Sequence, residues 1–351
     1  MTRDALLFSG LSLAPVPLIA AAAWAGGLWA LAALMAVSVV AFTADELVAP
    51  AHGEGRPAQD FPNAHRLNIV LAVAHFALLG AVIPALAGAS GIGAAAWAAT
   101  FAATGLYLGQ VSNANAHELI HARRRLPFLL GRWVYISMLF GHHTSAHLLV
   151  HHRHAASAED PNSAKLGRGY YRFLIDAWGG SFRAALAAET ARHGRTLANP
   201  FAHYAIGGAL ALGGAGLLGG PGGIALFLAL AFWAQAQLLL SDYVQHYGLR
   251  RQPGPDGRLE PVGPRHSWNA PHWCTGYMML NAARHSDHHA NPSKGFATLD
   301  IAPATQVPTL PYSLPFMGLV ALYPPLWRRM MDPRAAAWAV PQPETFRTAA
   351  E

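Results

Sequence analysis

The sequence predicts an all-α, polytopic membrane protein with six transmembrane helices and a helical, histidine-rich cap on the cytoplasmic side. Hydrophobic residues make up 53% of the 351 residues and charged residues 12%, about half the charged fraction of a soluble domain. Asp, Glu, Lys and Arg are absent from residues 5–44, 67–117 and 196–241. Each stretch is long enough for two helices of about 20 residues, the length that crosses a bilayer.

Each charge-free stretch is predicted to form a helical hairpin with glycines at its turn. The six predicted spans are residues 6–25, 27–44, 67–87, 93–113, 201–219 and 222–241. The hairpins therefore cover about 6–44, 67–113 and 201–241 of a single integral-membrane domain, residues 1–351. The remaining connections carry most of the Arg residues, so the positive-inside rule puts the parts 114–200 and 242–305 in the cytoplasm. A bacterial inner (plasma) membrane is the expected location.

Composition also bears on the two remaining apolar segments, on disulfides and on the type of partner. The first apolar stretch has features of a signal peptide, but a second span follows directly, so we expect a retained helix. Residues 306–327 are apolar but interrupted by five prolines, which favours an interfacial or re-entrant piece. A single cysteine, Cys274, excludes a disulfide framework and a built-in rubredoxin-type domain. The net charge of +6 fits a membrane surface better than nucleic acid.

The 19 histidines outnumber the 18 acidic residues, and nine of them follow a pattern. The three clusters use spacings of i, i+3 or i+4, which place imidazoles on one face of a helix. A lone His follows the sixth span. The nine are His117 and His121; His147, His151 and His152; His246; and His285, His288 and His289. They exceed the four to six ligands of one ion, so they suit two.

The ligand type narrows the metal. HExxH at His117–His121 is by itself a zinc protease signature, with Glu118 as base, but a zinc site would leave most of the set unused. Imidazole also suits iron, copper and nickel. An all-nitrogen site at the edge of a bilayer favours a dinuclear iron centre that activates dioxygen.

Four ordered motifs resemble the membrane-bound alkane hydroxylase (alkane 1-monooxygenase) family of the fatty-acid-desaturase-like superfamily. That family carries HExxH, EHxxGHH followed by EDP, a segment like NYxEHYGL, and RHSDHHA. In this chain they correspond to residues 117–121, 146–152 with 159–161, 242–249 and 284–290. Ala146, Val150 and Gln245 depart from the pattern, replacing Glu, Gly and Glu. These departures point to a divergent subgroup.

The resemblance implies two non-haem irons held by the nine histidines, with dioxygen as co-substrate. The implied reaction hydroxylates an unactivated alkyl C–H bond, such as the terminal methyl of an alkane or similar lipid-like molecule. Electrons would come from an external rubredoxin or ferredoxin with its reductase, which Arg123–Arg125 could steer to the protein. Trp24, Trp29 and Phe76 are expected to line the substrate pocket.

Nearby residues have more than one interpretation. Glu118, Asp287, Glu159 and Asp160 are candidates for orienting the ligand imidazoles. His143 lies four residues before His147, which leaves a shifted ligand set open. The histidines outside the motifs, such as His52, are expected to be structural.

Three other functions compete with the hydroxylase. A desaturase or another lipid hydroxylase of the same superfamily would share the whole site. An intramembrane zinc protease would need HExxH within a span, and here the motif follows one. A metal transporter would place its ligands near the bilayer midplane, whereas these lie at one predicted face.

Overall fold

The computed structural model describes residues 2–48 and 64–339, so His52 lies outside the described residues. The described part is helical and contains no β-strand, only two isolated bridges. The fold class predicted from composition is therefore confirmed as all-α. The helices are α1 Arg3–Leu13, α2 Pro15–Ala25, α3 Gly27–Ala36, α4 Val39–Val48, α5 Ala64–Pro84, α6 Ala94–Tyr107, α7 Asn113–Ile120, α8 Arg125–Ser137, α9 His142–Ala146, α10 His152–His154, α11 Tyr170–His193, α12 Pro200–His246, α13 Trp273–Met278, α14 His285–Ala290, α15 Leu314–Ala321 and α16 Pro324–Ala339.

Fewer helices than six qualify as membrane spans. In the described ranges three are long and apolar enough, namely Arg3–Ala25, Ala64–Ala89 and Pro200–His246. A bent pair, Gly27–Ala36 with Val39–Leu47, makes a fourth if it is one span. The predicted span 93–113 is not among these; its regular helix, α6, ends at Tyr107, and a π-helical turn, Leu108–Ser112, follows. Three or four spans are thus supported, and six remain a prediction.

The predicted glycine turns lie where the helices break. Gly26 and Gly88 have positive φ angles, which glycine adopts without a steric penalty. The 47-residue α12 is in fact two helices, because Gly219 and Gly220 leave helical geometry. A Cβ on Gly223 would lie 2.4 Å from the carbonyl oxygen of Ala215, so the chain folds back on itself at close range.

The outer surface of the long helices is apolar. Leu217 is 92% exposed and Phe232 65%, although both belong to the predicted third hairpin. Large exposed side chains of this kind on a continuous apolar helix are expected where lipid, not water, surrounds it. The exposed faces therefore agree with membrane insertion.

The segment after residue 305 folds against this bundle. α15 follows Ser313, has Pro315 in its first turn and packs on α12. α16 buries Trp327 completely. Three of the five prolines that interrupt the apolar run, Pro315, Pro324 and Pro325, thus stand at helix starts, where the missing N–H leaves no bond unmade.

A buried carboxylate joins α13 to α4. Asp45 of α4 accepts hydrogen bonds from the backbone N–H groups of Cys274 and Thr275 and from the Thr275 hydroxyl. These N–H groups open α13, where no intrahelical acceptor is available. Asp45 therefore caps the N-terminus of a helix that follows it by more than 200 residues, and it holds α13 against α4.

Candidate metal centre

The first histidine motif lies on α7, which continues the helix beyond the π-helical turn Leu108–Ser112. His117 and His121 are one turn apart, and their ring centroids are separated by 5.1 Å. The predicted i, i+4 pairing therefore brings these two imidazoles together.

The second motif pairs differently from the prediction. His147–His151 is a π-helical turn, in which the N–H of His152 donates to the carbonyl oxygen of His147. Residues five apart consequently face the same side. Nε2 of His147 lies 2.9 Å from Nε2 of His152, whereas His151 points towards a different set of rings. The i, i+4 spacing of His147 and His151 does not place them on one metal, because the helix is not an α-helix there.

All nine predicted ligand residues converge in two groups. Within each group the candidate ligand atoms lie within 4.8 Å of one another. We call them the five-histidine group and the four-histidine group. The five-histidine group is His117, His121, His147, His152 and His288, and the four-histidine group is His151, His246, His285 and His289.

The spacing within the groups fits metal coordination. In the five-histidine group Nε2 of His121 lies 3.0 Å from Nε2 of His147, and Nε2 of His152 lies 3.2 Å from Nε2 of His288. In the four-histidine group His285 lies 3.0 Å from His246 and 3.1 Å from His289. Ligands about 2.1 Å from an ion lie ~3.0 Å apart along an octahedral edge and ~3.4 Å apart along a tetrahedral one. The observed spacing is closer to the octahedral value.

Two further observations support the fit. Nε2 of His117 and Nε2 of His151 are buried and have no hydrogen-bond partner among the described residues. A buried polar atom without a partner is unfavourable unless something binds it. His117 belongs to the five-histidine group and His151 to the four-histidine group, so each group has a ligand nitrogen that a cation would satisfy.

The protonation states agree with a ligand role. Burial lowers the pKa of His117, His147, His285 and His288 well below the usual range, and neighbouring imidazoles lower it further. Burial likewise lowers the pKa of His121 to about 4. These rings are therefore neutral at physiological pH, and the neutral ring is the form that binds metals.

Asp160 orients one ring of the four-histidine group. Its Oδ2 accepts a hydrogen bond from Nδ1 of His151 at 2.9 Å and another from the Ser163 hydroxyl. Burial alone would raise the pKa of Asp160, but the charge and hydrogen bond of His151 and the bond from Ser163 lower it to about 2. The pair leaves Nε2 of His151 facing its group. His246 is held in the same way, with Nδ1 3.3 Å from the carbonyl oxygen of His266.

The other three acidic candidates have different partners. Glu118 accepts a hydrogen bond from the backbone N–H of Phe296. Glu159 contacts His154, which belongs to neither group. Asp287 accepts hydrogen bonds from Asn291, Lys294 and the backbone N–H of Asp300. Of the four, Asp160 alone is seen to contact a grouped imidazole in the described residues, because the others face the loop after α14 or the surface.

His143 lies beside the groups without joining either. Its ring stacks on Phe140, 5.2 Å between centroids, and is 5.4 Å from that of His147. Its Nδ1 is buried without a partner among the described residues. The geometry therefore favours the motif histidines over the shifted set.

Two cavities adjoin the histidines. A small chamber is lined by His117 and His147 of one group and His285 of the other. Beside it lies an apolar pocket of about 460 Å³, within the range of small-molecule sites. Side chains from α4, α12, α13 and α15 form much of its wall, among them Phe42, Trp233, Leu240, Met278 and Phe316.

The three residues predicted to line the substrate pocket do not line this one. Trp24 and Trp29 are about half exposed, Phe76 is 37% exposed, and none of the three lines the pocket. These helices are apolar on every side, so their sequence does not separate a lipid-facing side chain from a cavity-facing one.

The structure explains one of the three departures from the family motifs, Gln245. Nε2 of Gln245 donates to the carbonyl oxygen of Ala282, and its Oε1 accepts from the Ser241 hydroxyl. A Glu here would set a carboxylate oxygen against that carbonyl. Ala146 and Val150 are buried, and nothing in the structure explains their identity.

Comparison with known proteins agrees with this site. The fatty acid desaturase family model matches residues 92–318, which include all four motifs. The alkane 1-monooxygenase of Acinetobacter baylyi is 33% identical over 225 residues, 62% of this chain and 55% of that protein. Alkane 1-monooxygenase 1 of Alcanivorax borkumensis is 32% identical over 68% of this chain and 61% of its own length. The hydroxylase component of xylene/toluene monooxygenase from Pseudomonas putida is 29% identical over 64% and 60%.

The chain thus spans a little over half the length of these curated relatives. Their similarity confirms the resemblance that the four histidine motifs indicate. The family match covers well over half of the chain and contains both histidine groups. The chain belongs to the fatty acid desaturase family.

Proposed function

We propose that this protein is a membrane-bound hydroxylase that uses two iron ions and dioxygen to convert an alkyl C–H bond into an alcohol. The observation that carries the proposal is the convergence of nine imidazoles in two groups beside an apolar pocket. Named relatives that are monooxygenases support the same reaction class.

The reaction consumes R–H, dioxygen, two electrons and two protons and gives R–OH and water. Two irons held by the five- and four-histidine groups would supply the dioxygen activation, because no side chain can attack an unactivated C–H bond. The chain's own residues supply the rest. The apolar pocket binds and aims the alkyl chain and excludes water, and Asp160 keeps His151 in the tautomer that presents Nε2.

The electron donor and the location follow from the same proposal. The single cysteine offers no iron–sulfur ligand set, so we propose an external rubredoxin or ferredoxin as donor. The cap carrying the groups would face the cytoplasm of a bacterial inner membrane, where such donors and their reductase are found. An alkyl substrate that dissolves in the bilayer would enter the pocket from the side.

The first experiment measures metal content. The purified protein in detergent should contain close to two irons per chain, and the His288→Ala variant should lose iron clearly. A Gln306→Leu variant, changed at an exposed loop residue, is the control. One zinc and no iron in the parent would contradict the hydroxylase and favour a hydrolase.

The second experiment follows oxygen. Turnover with a rubredoxin system under labelled dioxygen should place one labelled oxygen atom in the product. An alkene without label would contradict hydroxylation and support desaturation, which the name of the matching family allows. The metal measurement and the product measurement therefore test separate halves of the proposal.

A further inference from the structure

The wall between the chamber and the apolar pocket is partly polar. Four residues line both cavities: Gly109, Gln110, Ser241 and Met279. We call them the neck. Any molecule that lies in the pocket and reaches the chamber passes these residues, so their chemistry selects what binds there.

Most polar side chains around the neck already have protein partners. Nε2 of Gln237 donates to the carbonyl oxygen of Gly105 at 2.7 Å. Ser241 donates to Oε1 of Gln245, whose Nε2 donates to Ala282. These groups are engaged and hold the helices together.

Gln110 is different. Its carboxamide forms no hydrogen bond with any of the described residues, and its Oε1 is buried. It lies in the π-helical turn Leu108–Ser112, an irregular feature that is frequent at functional sites. A buried carbonyl oxygen without a partner carries the free energy of its desolvation, and a leucine there would avoid it. A neck built only for hydrocarbon would not need this residue.

We propose that Gln110 recognises an oxygen atom of the substrate, and that the substrate is an apolar molecule with a hydroxyl group close to the oxidised carbon. The apolar body fills the 460 Å³ pocket, and the oxygen substituent meets the carboxamide at the entrance to the chamber. The buried Oε1 accepts a hydrogen bond, and a hydroxyl group can donate one to it. The assignment of the oxidised end rests on the proposed function; recognition at Gln110 does not.

The test compares binding of decane and 1-decanol to the as-purified protein without an electron donor, so that no turnover occurs. Affinities are corrected for partition of each compound into detergent micelles. The parent should prefer the alcohol, and Gln110→Leu should lower this preference about threefold to tenfold, the factor that corresponds to one net hydrogen bond. Gln306→Leu, the same change at an exposed position, should leave it unaltered.

The outcomes are separable. Equal binding of the two compounds by the parent, or an unchanged preference in Gln110→Leu, overturns the proposal, and so does failure of both compounds to bind. Gln110→Met, which keeps the length of the side chain, replaces the leucine variant if that does not fold; if neither folds, the corrected preference of the parent decides. A preserved preference in protein that lacks iron or makes no alcohol would overturn the proposed function and leave recognition at Gln110 standing.

Discussion

Replacing Asp160 by Asn should release metal from the four-histidine group and leave the five-histidine group loaded. The carboxylate accepts three hydrogen bonds: Oδ2 from His151 and Ser163, and Oδ1 from the backbone N–H of Asn162. Asn has one acceptor oxygen. Its best orientation keeps the two bonds at Oδ2 and loses that of Asn162, and it removes the negative charge beside His151.

The magnitude follows from these contacts. Losing one hydrogen bond of the folded protein costs about 1 kcal/mol, which leaves Asp160→Asn folded. Asp160→Asn keeps the bond to His151 but removes the charge behind it, and such a change in the partner of a ligand imidazole weakens metal binding by about 10- to 100-fold, or roughly 1.4–2.7 kcal/mol. His151 belongs to the four-histidine group alone. The weakening should therefore apply to one of two irons.

The assay is a chelator titration of the iron-loaded protein with the iron that remains bound counted at each step. The parent should lose both irons late, and Asp160→Asn should lose one iron at 10- to 100-fold lower chelator activity. Asp256→Asn, an exposed aspartate whose carboxylate bonds Arg258, is the matched control. The reasoning is refuted if Asp160→Asn keeps the parent's titration curve, or if it loses both irons together.

Three further changes test other parts of the structure. Gly109→Ala should destabilise the protein by about 1–3 kcal/mol, because the new Cβ would lie 2.2 Å from Nε2 of Gln237. The control, Gly213→Ala, has open space around it and should be neutral or up to about 1 kcal/mol more stable. Equal melting temperatures for the two variants would contradict the packing at Gly109. Gln245→Glu should lower stability by about 1–3 kcal/mol in thermal unfolding, since the donor to Ala282 is lost; Gln306→Glu serves as its control, and an unchanged melting temperature would rule out that bond. Removing metal with a chelator should lower the melting temperature, since an ion at about 100 times its Kd stabilises the fold by about 2.7 kcal/mol; an identical melting temperature with and without chelator would argue against a bound ion.

The sequence predicts the helical class and the identity of the nine histidines because both depend on local patterns. Long charge-free stretches require helices in a bilayer, and glycines mark their turns. The motif spacing picks out nine of 19 histidines, and the same nine meet in space. The motifs thus identify histidines that meet in space although they are as far apart in the sequence as His117 and His289.

The partition of the histidines could not be predicted in the same way. An i, i+4 rule pairs His147 with His151. The π-helical turn instead brings His147 and His152 together and places His151 in the four-histidine group. A π-turn arises from packing around it and has no local sequence signature here. The pocket wall escaped prediction for a related reason, since burial against α15 depends on tertiary contacts and not on the apolar pattern of α4 or α12.

Asp242 and Gln245 of the third motif lie one turn apart on α12 and bond different partners. The family pattern NYxEHYGL has Glu where this chain has Gln245. Gln245 needs its amide to donate to Ala282, and a carboxylate there would lose that bond. Asp242, one turn earlier, accepts a 2.6 Å hydrogen bond from the side chain of Asn162, whose backbone N–H binds Asp160.

A chain of contacts therefore runs from Asp242 through Asn162 and Asp160 to His151, a member of the four-histidine group. Imidazole ligands bring no negative charge to offset a divalent cation, and a buried cation is unfavourable without nearby anions. The four-histidine group has fewer imidazoles than the other group, so a bound ion has less ligand support there. We therefore expect the carboxylates of Asp160 and Asp242 to offset part of the charge of an ion in this group.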